Sequence, residues 1–299
     1  MTPPLAGVIP ITVTPFDRKG RLDEDSVASL VEFEVRQGVH GLSVLGIMGE
    51  AHKLSEAERR RVAELFLKNV GGRLPVVVGV SHGGTGVALE LAQAAEAAGA
   101  AAVMLAPPTS LRGDGPIVSH YREVAEAITI PIVVHDEPVT TGVIMSPELL
   151  GRLAREVPRC EYVKLEEPPT PAKITALRGV PGGDRARVFG GANGMYFVEE
   201  LGRGAVGIMT GMAFPDILVE IHAAFARGDR AAAHAVFDRY ASYIRYEGQP
   251  GIGLALRKEV LRRRGATATG LTRAPGPGLD GVTLAELDDI LDRLGLTGR

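Results

Sequence analysis

Short runs of apolar, often β-branched residues alternate with longer amphipathic segments over most of the chain. The short runs are continuously apolar, which is typical of parallel strands that are covered on both faces. We predict eight such strands, at residues 8–13, 42–47, 76–80, 101–105, 132–135, 162–165, 187–189 and 205–209.

The segments between the strands have helical periodicity, and two of them begin with clear start signals. Ser55 precedes Glu56 and Glu58, and Ser146 precedes Pro147, so each helix has a side-chain cap before a favourable first turn. We predict helices at residues 23–37, 56–69, 85–98, 116–127, 147–156, 171–177, 194–201 and 215–227.

Eight strand–helix units in series predict an α/β fold, a closed (β/α)8 TIM barrel formed by residues 1–228. A doubly wound open sheet is the alternative. Two or three further helices, at 230–245, 252–264 and 284–294, exceed the needs of a barrel. We therefore expect residues 229–299 to form a C-terminal helical extension packed on the barrel, with 267–280 as an exposed connector.

Composition narrows the function classes. The net charge is −3 and no basic run is interleaved with aromatic residues, so the sequence has no nucleic-acid signature. The single cysteine, Cys160, excludes an internal disulfide and a cysteine metal cluster. No apolar run approaches the ~18 residues of a membrane span, and the first four residues lack signal-peptide character. We expect a cytoplasmic protein with no nucleic-acid or membrane partner and no cofactor.

The predicted sixth strand carries the most informative side chain of the chain. In a TIM barrel the chemistry lies at the C-terminal ends of the strands. Lys164 lies near that end, followed by Glu166, Glu167 and two prolines. If the lysine points into the barrel, desolvation favours a neutral amine that can attack a ketone. The alternative is an outward lysine that forms a salt bridge with Glu166 or Glu161.

His135 ends the neighbouring fifth strand and is a candidate general acid or base. The alternative is a structural histidine. Asp136 follows it directly, but consecutive residues of a strand point to opposite faces, so we expect no direct pair between the two.

Two glycine-rich loops follow other strands. After strand 2 comes Gly46, Ile47, Met48 and Gly49, a turn whose backbone amides can receive a carboxylate; the alternative is a plain turn with Glu50 capping the next helix. After strand 7, residues 190–194 form either a phosphate site at a helix N-terminus or a tight turn.

Several short motifs follow one another along the chain, at residues 13–17, 38–42, 46–50, 54–59, 138–142, 162–164 and 204–210. Their order and spacing together resemble the dihydrodipicolinate synthase / N-acetylneuraminate lyase family of class I Schiff-base lyases. The resemblance runs from about residue 7 to residue 265 and implies a barrel that is usually a homotetramer built from tight dimers. It implies that Lys164 forms an imine with pyruvate or another 2-oxo acid and that the 46–50 turn receives its carboxylate.

The departures from the family pattern bear on the second substrate. Ile47 and Met48 lack the hydroxyls usual in the turn, and His135 stands where the family has a tyrosine. Thr140 replaces the arginine by which dihydrodipicolinate synthases hold the aldehyde substrate. Thr109 ends a Pro-Pro-Thr sequence that replaces Pro-Tyr-Tyr. The resemblance therefore argues against dihydrodipicolinate synthase activity.

This pattern is most similar to branches that act on 2-keto-3-deoxy sugar acids, such as L-2-keto-3-deoxyarabonate dehydratase. We expect a lyase that dehydrates or cleaves such an acid; the alternatives are condensation of pyruvate with an aldehyde and a non-catalytic barrel that binds an oxo acid. The protein is expected to be a dimer or tetramer. Lys164 and His135 are the expected catalytic residues, and the expected substrate-binding residues are Gly46, Ile47, Met48, Gly49, Thr109, Gly191 and Met209.

Overall fold

Eight parallel strands form one sheet, in the order β1-β8-β7-β6-β5-β4-β3-β2. The structure is a computed structural model that describes residues 4–299; residues 1–3, which belong to the stretch without signal-peptide character, lie outside it. All eight predicted strands are present. They are β1 (Gly7–Val8), β2 (Leu42–Val44), β3 (Val76–Gly79), β4 (Ala102–Leu105), β5 (Ile132–Asp136), β6 (Cys160–Leu165), β7 (Arg187–Gly190) and β8 (Gly207–Ile208).

The two ends of the sheet meet and close the barrel. Ile11 forms a parallel bridge with Ser43, and the Thr12 amide donates to the Ser43 carbonyl at 2.8 Å. The Ser43 amide in turn donates to the carbonyl of Pro10 at 2.8 Å. β1 is shorter than predicted because Pro10 has no N–H to donate to a ladder. The closed barrel is confirmed, and the open sheet is excluded.

The predicted helices are all present, and the predicted caps at Ser55 and Ser146 accept from the amides of Glu58 and Leu149. The helices are α1 (Glu24–Arg36), α2 (Glu56–Val70), α3 (Thr85–Ala97), α4 (Asp114–Glu126), α5 (Pro138–Thr141), α6 (Pro147–Glu156), α7 (Thr170–Arg178), α8 (Phe197–Gly202), α9 (Pro215–Ala226), α10 (Arg230–Glu247), α11 (Gly253–Arg263) and α12 (Gly281–Leu294).

Three helices differ clearly from the prediction, and one of them, α12, begins three residues earlier than predicted. The sequence pattern did not indicate α5, a single turn that the Glu137 side chain caps by accepting from the Thr140 amide. α8 begins three residues later than predicted. Asn193 and Gly194 have φ angles of 55° and 82°, and this left-handed backbone cannot continue a right-handed helix.

Side chains inside the barrel form a core that is separate from the larger core between strands and helices. Its members include Val133 of β5 and Tyr162 of β6, both nearly inaccessible to solvent. Because side chains alternate between the two faces of a strand, residues 135 and 164 lie on the same inner face as Val133 and Tyr162. Each lies two residues closer to the C-terminal rim. The barrel thus directs His135 and Lys164 inward.

The C-terminal helices pack on the barrel side, with α10 against α9. The expected exposed connector 267–280 is only partly exposed, which corrects the prediction. Its first half is tied to the barrel, because the Arg273 guanidinium donates to both carboxylate oxygens of Glu58 and to the Gly20 carbonyl. The residues from Ala274 to Gly278 are exposed. Within residues 4–299, no helix is both long and apolar enough to cross a membrane.

Glu34 of α1 is a buried carboxyl group that makes the stability of the fold depend on pH. It is 3% exposed, and its Oε2 atom has no partner among the described residues. Burial raises the pKa of Glu34 to about 8, although Arg264 opposes the shift. Between the pKa of an exposed glutamate and this value, the folded state holds a proton that the unfolded chain releases. The contribution of Glu34 to the free energy of unfolding therefore falls as the pH rises through this window.

We predict that Glu34→Gln removes this contribution, because an amide cannot ionise. The stability of the variant relative to the wild type should rise by about 2 kcal/mol between pH 6 and pH 8. Urea unfolding at several pH values measures the difference. Glu90→Gln, at an exposed position of α3, is the control and should give a curve parallel to that of the wild type. Parallel curves for Glu34→Gln would contradict the prediction.

Candidate active site

Three side chains meet inside the barrel at the C-terminal ends of β5 and β6. Lys164 Nζ lies 2.5 Å from Glu166 Oε2 and 3.1 Å from His135 Nε2. His135 Nε2 lies 2.9 Å from the same Glu166 oxygen. His135 and Lys164 are direct neighbours in the ladder, and both are buried. The amine, the imidazole and the carboxylate form what we call the inner triad.

Lys164 points inward, as the catalytic hypothesis requires, so the outward orientation of the alternative is wrong. The ion pair with Glu166 that the alternative proposed is nevertheless present, inside the barrel. Asp136 points to the opposite face and pairs with Lys173 at 2.7 Å, so the absence of a direct pair with His135 is confirmed.

The charges of the inner triad determine which group holds a proton. Burial opposes ionisation of Glu166, but Lys164 and His135 outweigh it and hold the pKa of Glu166 far below its ordinary value. Burial and the nearby Lys164 both lower the pKa of His135. At neutral pH the carboxylate is therefore ionised and the imidazole is neutral.

A neutral imidazole at this position can take a proton from the lysine. His135 Nε2 faces both Lys164 and Glu166, and it cannot donate to the carboxylate and accept from the amine at the same time. When the imidazole proton is on Nδ1, Nε2 accepts from Lys164; when the proton is on Nε2, Nε2 donates to Glu166. The geometry allows proton transfer between the amine and the imidazole without movement of either strand.

Glu166 is a residue of this site that sequence reasoning treated only as a salt-bridge partner. Its other oxygen, Oε1, accepts from the Ala192 amide at 2.9 Å in the loop after β7. A Cβ atom at Gly191 would lie 2.3 Å from this Oε1 atom. A phosphate bound in this loop would need the Ala192 amide, but that amide already binds the Glu166 carboxylate. The two-residue spacing of Lys164 and Glu166, which puts them on one strand face, was the available signal.

The 46–49 turn ends at a second buried ion pair. Residues Ile47–Gly49 form a 3₁₀ turn, whose first amides have no partner within the turn. One hypothesis proposed that Glu50 caps the next helix, but the cap of α2 is Ser55. Glu50 adopts a left-handed conformation, and its carboxylate binds Lys258 Nζ at 2.5 Å. Lys258 also donates to the Thr14 carbonyl at 2.9 Å, so the C-terminal extension holds the turn from behind.

The other predicted substrate-binding residues lie in different surroundings. Met209 is fully buried in the core inside the barrel, and half-buried Met48 packs against that core. Thr109 is exposed in the loop after β4, where its carbonyl accepts from Arg112. Their roles stay predictions. Among residues 4–299 no group of three or more histidine, cysteine, aspartate or glutamate residues is placed to hold a metal ion.

The inward lysine on β6 of this (β/α)8 barrel is the group that a class I aldolase-type lyase requires, and the protein belongs to this class, as the sequence predicted. The sequence matches the dihydrodipicolinate synthetase family over residues 4–292, and the chain belongs to that family.

Named relatives within this family have different activities. The chain is 33% identical to the L-2-keto-3-deoxyarabonate dehydratase of Azospirillum brasilense, over 98% of this chain and 96% of the relative. It is 32% identical to the 4-hydroxy-tetrahydrodipicolinate synthase of Bartonella quintana, over 77% of this chain and 78% of that one. The crystal structure of dihydrodipicolinate synthase from Rhodopseudomonas palustris superposes with a TM-score of 0.91 at 39% identity, covering 97% of each chain.

We predict that Gly191→Ala displaces the Glu166 carboxylate, because the new Cβ atom would overlap Oε1 and Cδ. His135 then loses the negative charge that stabilises its protonated form, so its pKa should fall further. NMR titration of the imidazole measures this. Gly86→Ala, where the new Cβ atom meets nothing within 4 Å, is the matched control. An unchanged His135 pKa in folded Gly191→Ala would refute the prediction.

Proposed function

We propose that the protein is a Schiff-base lyase that dehydrates a 2-keto-3-deoxy sugar acid, with L-2-keto-3-deoxyarabonate as the first compound to test. The single observation that carries the proposal is the inward Lys164 amine in contact with two proton acceptors. The choice of dehydration is supported by the Azospirillum brasilense dehydratase, which aligns with nearly the whole chain.

The first step is attack of the Lys164 amine on the C2 carbonyl of the substrate. The amine must lose a proton before it attacks, and His135 Nε2, at 3.1 Å, is the neutral acceptor. Water leaves as the carbinolamine becomes a protonated imine, which draws electrons from the neighbouring carbon. The imine nitrogen carries a positive charge, as the ammonium did, so Glu166 continues to stabilise a cation.

The second step removes the C3 proton and expels the C4 hydroxyl. Glu166 or His135 takes the C3 proton, the C3–H electrons form the new double bond, and the C4 hydroxyl departs with a proton as water. Both residues lie within hydrogen-bond distance of the nitrogen that anchors C2, so each can reach a proton on the adjacent carbon. Hydrolysis of the imine then regenerates Lys164.

The substrate carboxylate is assigned to the amides of the 46–49 turn. The absence of hydroxyls at Ile47 and Met48 leaves backbone N–H groups as the donors there. Gly49 is held by the Thr14 hydroxyl, which donates to its carbonyl at 2.6 Å. Thr109, Gly191 and Met209 stay proposed contacts for the rest of the substrate.

Two alternatives keep specific support. Aldol cleavage to pyruvate and an aldehyde uses the same imine, with the C3–C4 bond in place of the C4–O bond. Condensation of pyruvate with an aldehyde, as the resemblance implies for dihydrodipicolinate synthases, is the second alternative, and the Bartonella quintana and Rhodopseudomonas palustris relatives carry synthase names of that kind. Thr140, in place of the arginine that the resemblance implies for dihydrodipicolinate synthases, argues against it. We also propose a dimer or tetramer in the cytoplasm; sedimentation of the purified protein tests the assembly.

We predict that borohydride with pyruvate or a 2-keto-3-deoxy sugar acid traps a covalent adduct at Lys164. Intact mass and peptide mapping locate it. Lys164→Arg should form no adduct, because a guanidinium does not condense with the ketone, while Lys68→Arg, at a surface position of α2, should behave as the wild type. Absence of an adduct in the wild type would support the non-catalytic binding barrel and end the proposal.

The same acids separate dehydration from cleavage. With L-2-keto-3-deoxyarabonate we expect a dehydrated oxo acid and no pyruvate, measured by mass spectrometry beside a coupled lactate dehydrogenase assay. His135→Gln and Glu166→Gln should each lower turnover on the order of 100-fold, because each removes a group that accepts a proton. Release of pyruvate in proportion to substrate consumed would replace dehydration by aldol cleavage.

A further inference from the structure

A second cluster of charged side chains lies on the outer face of the same two strands. Asp136 follows His135 at the end of β5, and Glu167 follows Glu166 at the end of β6. Both carboxylates bind one ammonium, that of Lys173 on α7: Asp136 Oδ2 lies 2.7 Å from Nζ, and Glu167 Oε2 is its second partner. We call these three residues the outer clamp.

The outer clamp and the inner triad lie on opposite faces of β5 and β6, at the same end of the two strands. His135 is paired with Lys164 in the ladder, and Asp136 with Leu165. The ladder continues beyond β6, because the Glu166 amide donates to the Asp136 carbonyl at 2.9 Å. Because consecutive side chains alternate, residues 135, 164 and 166 face the barrel interior, while 136 and 167 face outward. A shift of β5 relative to β6 would therefore change both sets of contacts together.

Burial makes the outer clamp resistant to solvent competition. The Asp136 side chain is completely buried, the Lys173 side chain is 8% exposed, and Glu167 is 22% exposed. Beyond Lys173, the charged groups that act on Asp136 are Glu167 beside it and Glu166 on the inner face, and both are carboxylates. Lys173 is the nearest positive charge of this cluster, so its removal leaves Asp136 buried and uncompensated, which favours local rearrangement of the strand ends.

We propose that Lys173 is a positioning residue that fixes the distance between His135 and the Lys164 amine by binding the carboxylates that follow the inner triad. It does not face the substrate, since it lies on α7 outside the barrel. The expected effect of Lys173 on the rate rests on the proposed imine chemistry. Its expected effect on the surroundings of His135 rests on geometry alone. Errors of about 1 Å in such contacts can cost two orders of magnitude in rate.

The test compares Lys173→Met, Lys173→Arg and Arg178→Met. Arg178 lies at the other end of α7 and donates to the carbonyls of Gly183, Ala186 and Gly204, away from the strand ends that carry the inner triad. Its loss should lower the melting temperature without changing the active site. It is therefore a matched control for a structural cation on the same helix.

For Lys173→Met we expect the saturating rate of borohydride trapping with pyruvate to fall about tenfold or more. The pyruvate concentration at half-saturation should stay within about twofold, because the 46–49 turn is held by Glu50 and Lys258 instead. Lys173→Arg keeps the charge and should restore most of the rate. Arg178→Met should keep the wild-type rate. Glu167→Gln, at a partly exposed position, should show a smaller loss in the same direction even if Lys173→Met does not fold.

The inference is overturned if folded Lys173→Met keeps the wild-type trapping rate, or if Arg178→Met loses as much rate as Lys173→Met. A wild type that traps no adduct would overturn the proposed function instead. The His135 pKa, measured by NMR on the free protein, then decides the role of Lys173 by itself. A value changed in Lys173→Met but not in Arg178→Met supports the inference, and an unchanged value in both contradicts it.

Discussion

The ion pair between Lys164 and Glu166 is the interaction on which the inner face of the barrel depends. A lysine inside a barrel is tolerated only with a partner, because an unpaired buried charge costs several kcal/mol. The two-residue spacing provides that partner on the same strand face. His135 on the adjacent strand adds a neutral acceptor whose low pKa follows from burial and from the same lysine. The amine thus lies between a carboxylate and a neutral base that can accept a proton from it.

The C-terminal rim of the barrel is held by buried charges on more than one side. Lys173 joins the ends of β5 and β6, and Lys258 joins the 46–49 turn to α11. Burial raises the pKa of Asp136 to about 6 against the influence of Lys173, and burial lowers the pKa of Lys258 to about 8 against that of Glu50. These opposed effects indicate that the pairs offset a desolvation cost.

The C-terminal helices connect the sequence-distant parts of this rim. Lys258 of α11 contacts the carbonyl of Thr14 and the carboxylate of Glu50, more than two hundred residues earlier in the chain. Arg273 in the following segment contacts Glu58 and the carbonyl of Gly20. The segment predicted to be an exposed connector therefore helps to support the 46–49 turn, because the Arg273 amide also donates to Glu50 at 2.9 Å. Its glycines and prolines indicated turns but carried no information about these partners.

The sequence by itself determined the barrel, because eight apolar runs with helical segments between them leave few ways to cover both faces of a parallel sheet. It also indicated Lys164, His135 and the 46–49 turn, since strand ends are recognisable locally. The tertiary structure decided the contacts. It showed that Lys164 is both inward and paired, that the Ala192 amide binds Glu166, and that Lys173 joins two strands. These depend on the register between strands and on helix packing, which distant parts of the chain fix together.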